Sequence, residues 1–182
     1  MIRRNALSLV TVALALLAGC KDSTGSSTHD RVSFTYSGSR SGSFSASGPV
    51  PSTNAPWANA FAGASSASDG YTVSAYAPST ATVGSRLVLL TDQAGGIGTY
   101  SSDCSDIGPT DRCFFGVVKF DWDGSAPPGT SNGVTFGTEH VTLNITSLTA
   151  TRMKGTFSGT FVNGSQRITI PDGTFDVPVK QL

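Results

Sequence analysis

Five aspartates in the middle of the sequence are the side chains whose type and spacing come closest to a chemical site. Charged residues make up only 13% of the chain, so acids that gather in one region stand out. Two or three carboxylates with loop carbonyls can supply the roughly six to eight oxygens that calcium requires, and a carboxylate pair is what glycoside hydrolysis requires. The five residues are Asp103, Asp106, Asp111, Asp121 and Asp123.

These acids lack the further signals of either chemistry. The Asp-x-Asp-Gly sequence at 121–124 has neither the third acid nor the distant glutamate of an EF-hand loop, and Glu139 is the one glutamate in the chain. We therefore expect solvated loop acids, with calcium binding and carboxylate catalysis as alternatives in that order. We assign no metal and no cofactor.

The histidines argue against a serine hydrolase. Such an enzyme needs a histidine that is held by a carboxylate beside an exposed nucleophile. The chain has two histidines, of which His29 lies in a polar segment and His140 begins an alternating segment on its polar side. The Gly-x-Ser-x-Gly turn that presents a nucleophilic serine is also missing from the sequence. We predict no catalytic residue and a protein that is not an enzyme.

The first twenty residues have the layout of an exported, lipid-anchored protein. Arg3 and Arg4 precede an uncharged apolar run at 6–17, which is shorter than the about 20 residues of a membrane span. The sequence Leu-Ala-Gly-Cys at 17–20 resembles the lipobox of bacterial lipoproteins. That resemblance implies a signal peptide at 1–19, lipidation of Cys20 and membrane anchoring. Because Lys21 and not aspartate follows the cysteine, the resemblance favours the outer membrane.

The mature chain that this implies is one small domain on a polar tether. Residues 20–30 contain the lipidated cysteine and a tether without apolar residues, and residues 31–182 suit a single domain. Without Arg3 and Arg4, ten lysines and arginines face twelve acids, a net charge of −2. A nucleic-acid partner is therefore not expected. The expected contacts are the membrane and an envelope protein or glycan, with the domain in the periplasm or at the cell surface.

Two cysteines remain after the anchor, and they predict a disulfide. Beyond the cytoplasmic membrane an even pair is expected to be oxidised, so we pair Cys104 with Cys113. The spacing differs from Cys-x-x-Cys, and no histidine lies nearby to complete a zinc site.

The residue pattern predicts an all-β domain, a single antiparallel sandwich or barrel of about nine to eleven short strands. Threonine, valine and aromatic residues are plentiful, and polar and apolar residues alternate from residue 31 onward. The clearest strand is at 113–122, where Phe114, Val118, Phe120 and Trp122 share one face. The apolar run at 87–90 predicts a strand that is buried on both sides.

Glycines punctuate the C-terminal third. Asn163-Gly164 and Asp172-Gly173 predict turns, and separate strands are expected at 134–136 and 141–145. A Gly-x-Phe pattern recurs at 42–44, 155–157, 159–161 and 173–175. Glycine opposite an aromatic residue on a neighbouring strand lets the ring lie over the backbone, so the pattern predicts packing and not a solenoid repeat.

The segment at 139–180, with its Gly-Thr-Phe-Ser and closing Gly-Thr-Phe strands, is similar to the end of a family of uncharacterised lipoprotein domains of bacterial envelopes. The resemblance implies an all-β extracytoplasmic domain and brings no catalytic residue. We expect a non-enzymatic structural or binding role. One alternative is a carbohydrate- or protein-binding module with exposed aromatic residues, and another is a calcium-dependent or carboxylate-based hydrolase. The aromatic candidates are Trp57, Tyr71, Tyr76, Tyr100 and Trp122.

Overall fold

The computed structural model describes residues 30–49, 61–67, 70–79, 83–91, 96–104, 112–123 and 133–181. The described residues form ten strands. They are β1 (Arg31–Gly38), β2 (Gly42–Ser47), β3 (Phe61–Ala67), β4 (Gly70–Pro78), β5 (Val83–Thr91), β6 (Gly98–Ser101), β7 (Phe114–Asp123), β8 (Val134–Leu148), β9 (Arg152–Asn163) and β10 (Gln166–Gln181).

Seven of these strands close a barrel, in the order β10, β3, β4, β5, β7, β8, β9 and back to β10. The closure depends on the length of β8 and β10. One edge of β10 pairs with β1 and, at its last three residues, with β3. One edge of β8 pairs first with β7 and further along with β6. The prediction of an all-β, barrel-like domain is therefore confirmed.

Three strands lie outside the closed ring and widen one side of it. The hairpin of β1 and β2 continues the sheet beyond β10, and β6 continues it beyond β8. The result is a six-stranded antiparallel sheet in the order β6, β8, β9, β10, β1, β2. The opposite wall of the barrel is formed by β3, β4, β5 and β7.

Aromatic rings join the outer hairpin to the barrel core. Phe34 on β1 stacks on Phe44 of β2 with ring centroids 4.7 Å apart, and it meets Phe157 of β9 edge-on at 5.6 Å. All three rings are buried. Such pairs add about 0.5–1.5 kcal/mol beyond the burial of their area, so the hairpin is packed into the domain core.

Strand β7 follows the predicted alternation up to one irregular residue. Phe114, Val118 and Phe120 are buried, while Phe115 is exposed. Asp121 has a φ of +56°, and the register with β5 shifts at this point. The shift is a β-bulge, which interrupts the two-residue period before the end of the strand.

The apolar run in β5 is not buried on both sides, contrary to the sequence prediction. Leu87 and Leu89 are buried in the core, Val88 is half-buried, and Leu90 is 44% exposed. The strand is one wall of a barrel, and its outer side has no second layer of described residues over Leu90. A run of four apolar residues does not distinguish these two situations.

Two predicted breaks in the C-terminal third are absent and one is present. Residues 134–136 and 141–145 belong to the single strand β8, and Asp172-Gly173 is a bulge within the continuous strand β10. Strands β8, β9 and β10 have 15, 12 and 16 residues and are the longest of the described strands. Asn163-Gly164 does form the hairpin between β9 and β10, and Gly164 has a φ of +57°. Residues with a side chain rarely adopt this positive φ, which explains why glycine occupies position 164 of the turn.

Two of the recurrent glycines pack beneath aromatic rings as predicted. Gly155 on β9 faces Phe175 on β10, and Gly173 on β10 faces Phe157 on β9. A Cβ added to either glycine would lie 2.4 Å from the ring of its partner. Since the two pairs are reciprocal, they hold β9 and β10 close together.

Several predictions concern residues outside the described ranges. They are the signal peptide, Cys20, the tether, His29, Trp57, Asp106 and Asp111, together with the side chains of Trp122 and Asp123. In the part of the chain that the structure describes, no helix has the length and apolarity needed to span a bilayer.

Candidate functional site

The disulfide lies where the outer strand β6 meets the barrel. Cys104 and Cys113 are bonded to each other, as the sequence predicts. Ser101, the last residue of β6, forms a parallel bridge with Cys113, and its amide donates to the carbonyl of Arg112 at 2.9 Å. The disulfide therefore holds β6 against the start of β7.

A carboxylate holds one of the two histidines, which sequence reasoning did not predict. Nδ1 of His140 lies 2.9 Å and 3.1 Å from the two carboxylate oxygens of Asp103. Both side chains are exposed on the outer surface. The two residues are 37 positions apart in the chain, and their contact depends on the pairing of β6 with β8. The sequences of these two strands do not indicate that they pair with each other.

The pair of Asp103 and His140 lacks a nucleophile among the described residues. The nearby hydroxyl of Ser102 is already used, since it accepts from the amide of Val141 at 2.8 Å and donates to the carbonyl of Glu139 at 3.2 Å. His140 has no hydrogen bond from its second ring nitrogen to any residue that the structure describes. The arrangement fastens the segment after β6 to β8 and gives no base-nucleophile pair.

The other described aspartate of the predicted cluster lies at the opposite end of β7. Asp121 accepts a hydrogen bond from Nη1 of Arg40 at 2.7 Å. About 26 Å of strand separate Cys113, beside Asp103, from Asp121. Within the described ranges, no three histidine, cysteine or acidic side chains come close enough to hold a metal ion. Asp106 and Asp111 and the side chain of Asp123 lie outside those ranges.

A four-residue ion cluster ties the start of the domain to β9 and β10. Asp176 lies 2.5 Å from Nε of Arg152 and 3.0 Å from Nζ of Lys154, and Arg152 also lies 3.0 Å from Asp30. Burial alone would raise the pKa of Asp176, but hydrogen bonds from Lys154 and Arg152 and their charges lower it overall. Burial opposes the charge of Arg152, whereas its bonds to Asp176 and Asp30 raise its pKa.

The described aromatic candidates belong mostly to the interior. Tyr76 and Tyr100 are buried, and Tyr71 is half-buried. The hydroxyl of Tyr100 donates to the carbonyl of Gly96 at 2.7 Å. The exposed large aromatic side chain among the described residues is Phe115, at 57% exposure, which was not among the candidates.

The outer side of β5 and β7 carries apolar side chains and positive charges, and we call it the apolar face. Leu90 stands opposite Phe115, and Val88 stands opposite Val117. On the same face, Arg86 of β5 stands opposite Lys119 of β7. Burial lowers the pKa of Arg86, and burial together with the charge of Arg86 lowers the pKa of Lys119.

The outer side of the six-stranded sheet carries uncharged polar side chains in register, and we call it the hydroxyl face. One row crosses all six strands through directly paired positions. In the order β6, β8, β9, β10, β1, β2 this row is Thr99, Asn144, Thr156, Thr174, Ser33 and Ser45.

A second row runs parallel to the first, two residues further along each strand. It contains Ser101, Thr142, Ser158, the bulge at Asp172, Thr35 and Ser43. Neighbouring side chains are about 4.8 Å apart across the strands and about 6.6 Å apart along them. Short hydroxyls at these distances form a regular field of donors and acceptors.

A groove of about 370 Å³ lies on the hydroxyl face, over β1, β2 and β10. The hydroxyls of Ser33, Thr35 and Thr174 line it, and so do Arg31 and Asp172. Thr35 donates to Oδ1 of Asp172 at 3.0 Å, and the hydroxyls of Ser33 and Thr174 lie 3.1 Å apart. Ser43, Ser45 and the buried rings of Phe34 and Phe44 complete the lining. The groove therefore combines hydroxyls, one cation and one anion with apolar surface.

Comparison with known protein families, curated proteins and solved structures gave no significant match for this chain. The function of the domain must accordingly be argued from its own residues.

Proposed function

We propose that this chain is a lipid-anchored protein of the bacterial cell envelope whose barrel domain acts by structural support or binding and not by catalysis. The observation that carries the proposal is the sequence Leu-Ala-Gly-Cys at 17–20 behind two arginines and an apolar run. In this proposal Cys20 carries acyl chains such as palmitate. Each buried CH₂ contributes about 0.8 kcal/mol, so two or three chains give stable attachment. The resemblance of residues 139–180 to envelope lipoprotein domains is part of the same proposal.

The first described strand supports a location close to the membrane. Strand β1 begins at Arg31, eleven residues after Cys20. A fully extended segment of that length spans about 40 Å at most. The barrel therefore stays within one domain diameter of the bilayer, in the periplasm or at the cell surface. Lys21 favours the outer membrane.

Among the acids of the predicted cluster whose side chains the structure describes, the geometry supports binding over catalysis. Asp103 and Asp121 lie near opposite ends of β7 and are each bonded to a basic side chain. A glycosidase needs two carboxyl groups about 5–9 Å apart. The outer surface offers instead a groove lined by hydroxyls and aromatic carbon and an exposed apolar pair, which are features that recognise a glycan or a protein.

Acylation is tested by labelling cells that express the full chain with a palmitate analogue. The expected result is a labelled band that partitions into detergent, with a mass that corresponds to cleavage before Cys20. The Cys20→Ser variant is expected to lose the label and to accumulate as the uncleaved precursor. Cys104→Ser with Cys113→Ser is the matched control and is expected to keep the label. An unlabelled wild-type chain would refute the anchor.

The second candidate function is a hydrolase, for which the contact of Asp103 with His140 is the relevant observation although no described nucleophile completes it. The test is turnover of nitrophenyl esters and nitrophenyl glycosides by the wild-type chain and by His140→Ala, with and without calcium. Our proposal expects the same rate as buffer for both proteins and the same melting temperature in calcium and in chelator. Turnover that His140→Ala abolishes would replace the proposed binding role with a catalytic one.

A further inference from the structure

The groove on the hydroxyl face is an open depression, formed by described residues, that a ligand can enter. Its volume of about 370 Å³ lies within the usual range for small-ligand sites, about 300–1,000 Å³. It is built on the strands β1, β2 and β10, the last of which carries the bulge at Asp172, so its side chains are held on paired strands and not on a loop. Rigid elements position binding groups more exactly than loops do.

The hydrogen-bonding groups of the groove are only partly used within the protein. The hydroxyls of Ser43 and Ser45 make no hydrogen bond to any described residue, and Arg31 has no described hydrogen bond or ion pair. Asp172 accepts from Thr35 through Oδ1, and no described residue donates to its Oδ2. Each hydroxyl offers one donor and two acceptor positions, so the groove retains unused groups of both kinds.

The chemistry of these groups selects a class of ligand. A ligand with many hydroxyls matches a field of serine and threonine hydroxyls, because each partner both donates and accepts. The guanidinium of Arg31 and the carboxylate of Asp172 add a strong donor and a strong acceptor for neighbouring sugar hydroxyls. An anionic polymer would meet the carboxylate of Asp172, and the net charge of −2 in the mature chain disfavours it further.

We infer that the groove over β1, β2 and β10 binds a neutral oligosaccharide, laid across the two polar rows. This inference rests on the proposed binding function and names its ligand class and site. The rows continue over β9 and β8 to β6, so sugar units that extend from the groove meet further hydroxyls at about the same spacing.

The experiment is calorimetric titration of the full chain, purified in a detergent without a sugar headgroup, with cellotetraose, laminaritetraose and maltotetraose. A tetragalacturonate is titrated as the anionic comparison. We expect saturable binding of at least one neutral tetrasaccharide with a Kd below about 1 mM, and weaker binding of the anionic one. Failure of all three neutral sugars to bind, or a preference for the anionic one, overturns the inference.

Two double variants test the position of the site. Ser43→Ala with Ser45→Ala removes hydroxyls that have no described partner, so it is expected to leave the fold intact and to weaken binding about tenfold. Thr135→Ala with Thr151→Ala removes two exposed hydroxyls outside the groove and is expected to leave the Kd unchanged. Equal affinity in the wild type and in the groove variant overturns the site assignment.

The result is separable from the test of the anchor. Sugar binding by a chain that is never acylated would refute the proposed location and leave the ligand site standing. An acylated chain that binds none of the neutral sugars would refute the ligand site alone.

Discussion

The two outer faces of the barrel differ in the side chains that stand opposite each other across strands. In the first row of the hydroxyl face neutral groups stand opposite neutral groups, and at the border of the face Asp176 stands opposite Lys154 and Arg31. On the apolar face Arg86 stands opposite Lys119. Opposite charges that face each other stabilise a sheet by about 0.2–1 kcal/mol, and like charges destabilise it.

The difference shows that exposure to water does not by itself determine the composition of a strand. Both faces belong to one barrel, and they adjoin where β7 pairs with β8. The hydroxyl face carries side chains that suit water or a ligand rich in hydroxyls. The apolar face carries Leu90 and Phe115 in the open, together with two cations whose pKa values are lowered. The two faces therefore differ in what they are able to contact.

The largest loss of stability is expected when a side chain is added at a buried glycine in one of the strands that carry the hydroxyl face. In Gly155→Ala the new methyl group would lie 2.3 Å from the carbonyl oxygen of Asn144 and 2.4 Å from the ring of Phe175. Relief requires β8, β9 or β10 to shift, so we expect a loss of about 3 kcal/mol in the free energy of unfolding. Urea denaturation of the two proteins measures this loss.

Gly137→Ala is the matched control for that substitution. Gly137 also lies in the barrel wall, on β8, but a Cβ at this position would have no atom within 4 Å. We expect its unfolding free energy to stay within about 0.5 kcal/mol of the wild type. Equal losses in the two variants would show that glycine is needed for the backbone conformation and not for the space under Phe175.

The disulfide tests how far the hydroxyl face depends on its outermost strand. Replacing both Cys104 and Cys113 by serine opens a loop with a sequence separation of 9 and is expected to cost about 2.5 kcal/mol. Because β6 is not part of the closed ring, the barrel should persist. Faster amide exchange is expected in β6 and unchanged exchange in β4 and β5. Global unfolding of the variant at room temperature would contradict this division.

The fold class could be predicted from the sequence because alternation and turn residues are local signals. The buried face of β7 and the hairpin at Gly164 follow directly from residue types. The length of β8 and β10 did not follow, because glycine and aspartate mark a turn and a bulge equally well. At Asp172-Gly173 the pairing of β10 with both β1 and β9 carries the strand through the irregularity.

The candidate site was harder to predict for a related reason. Asp103 belongs to the predicted acid cluster, but its contact with His140 depends on the pairing of β6 with β8. The polar rows of the hydroxyl face also cannot be read from the amino-acid sequence, because their residues come from six different strands. Each strand by itself shows only the alternation of polar and apolar residues. The row from Thr99 to Ser45 can be recognised only when the pairing register of all six strands is known.

Charge at the border of the hydroxyl face is tested through Asp176. Asp176→Asn keeps the shape of the side chain and removes the negative charge beside Arg152 and Lys154. We expect a loss of about 1–2 kcal/mol at neutral pH, between the values for an exposed ion pair and for a hydrogen bond to a charged group. Asp172→Asn, which removes an exposed carboxylate bonded to one threonine, is expected to cost less.

The pH dependence of this contribution has a definite sign. The folded-state pKa of Asp176 is lowered, so the ionised carboxylate stabilises the fold above the ordinary aspartate pKa of about 3.9. That contribution is lost as the pH falls through the lowered folded-state value. The stability difference between the wild type and Asp176→Asn should therefore narrow below about pH 4. A difference that stays constant down to acid unfolding would assign the loss to packing instead.

The smallest change in stability is expected when the exposed apolar pair is moved from one face to the other. Leu90→Thr with Phe115→Thr replaces two cross-strand partners, 44% and 57% exposed, by a residue that suits strands, so the unfolding free energy should change by less than about 1 kcal/mol. Thr156→Leu with Thr174→Leu creates the same kind of pair on the hydroxyl face, where both threonines are exposed and directly opposed. Sedimentation over a range of concentrations should show less self-association in the first variant and more in the second, because contiguous apolar surface promotes association wherever it lies. If the first variant instead loses several kcal/mol, Leu90 and Phe115 support the barrel itself, and the contrast between the two faces is one of stability and not of what they contact.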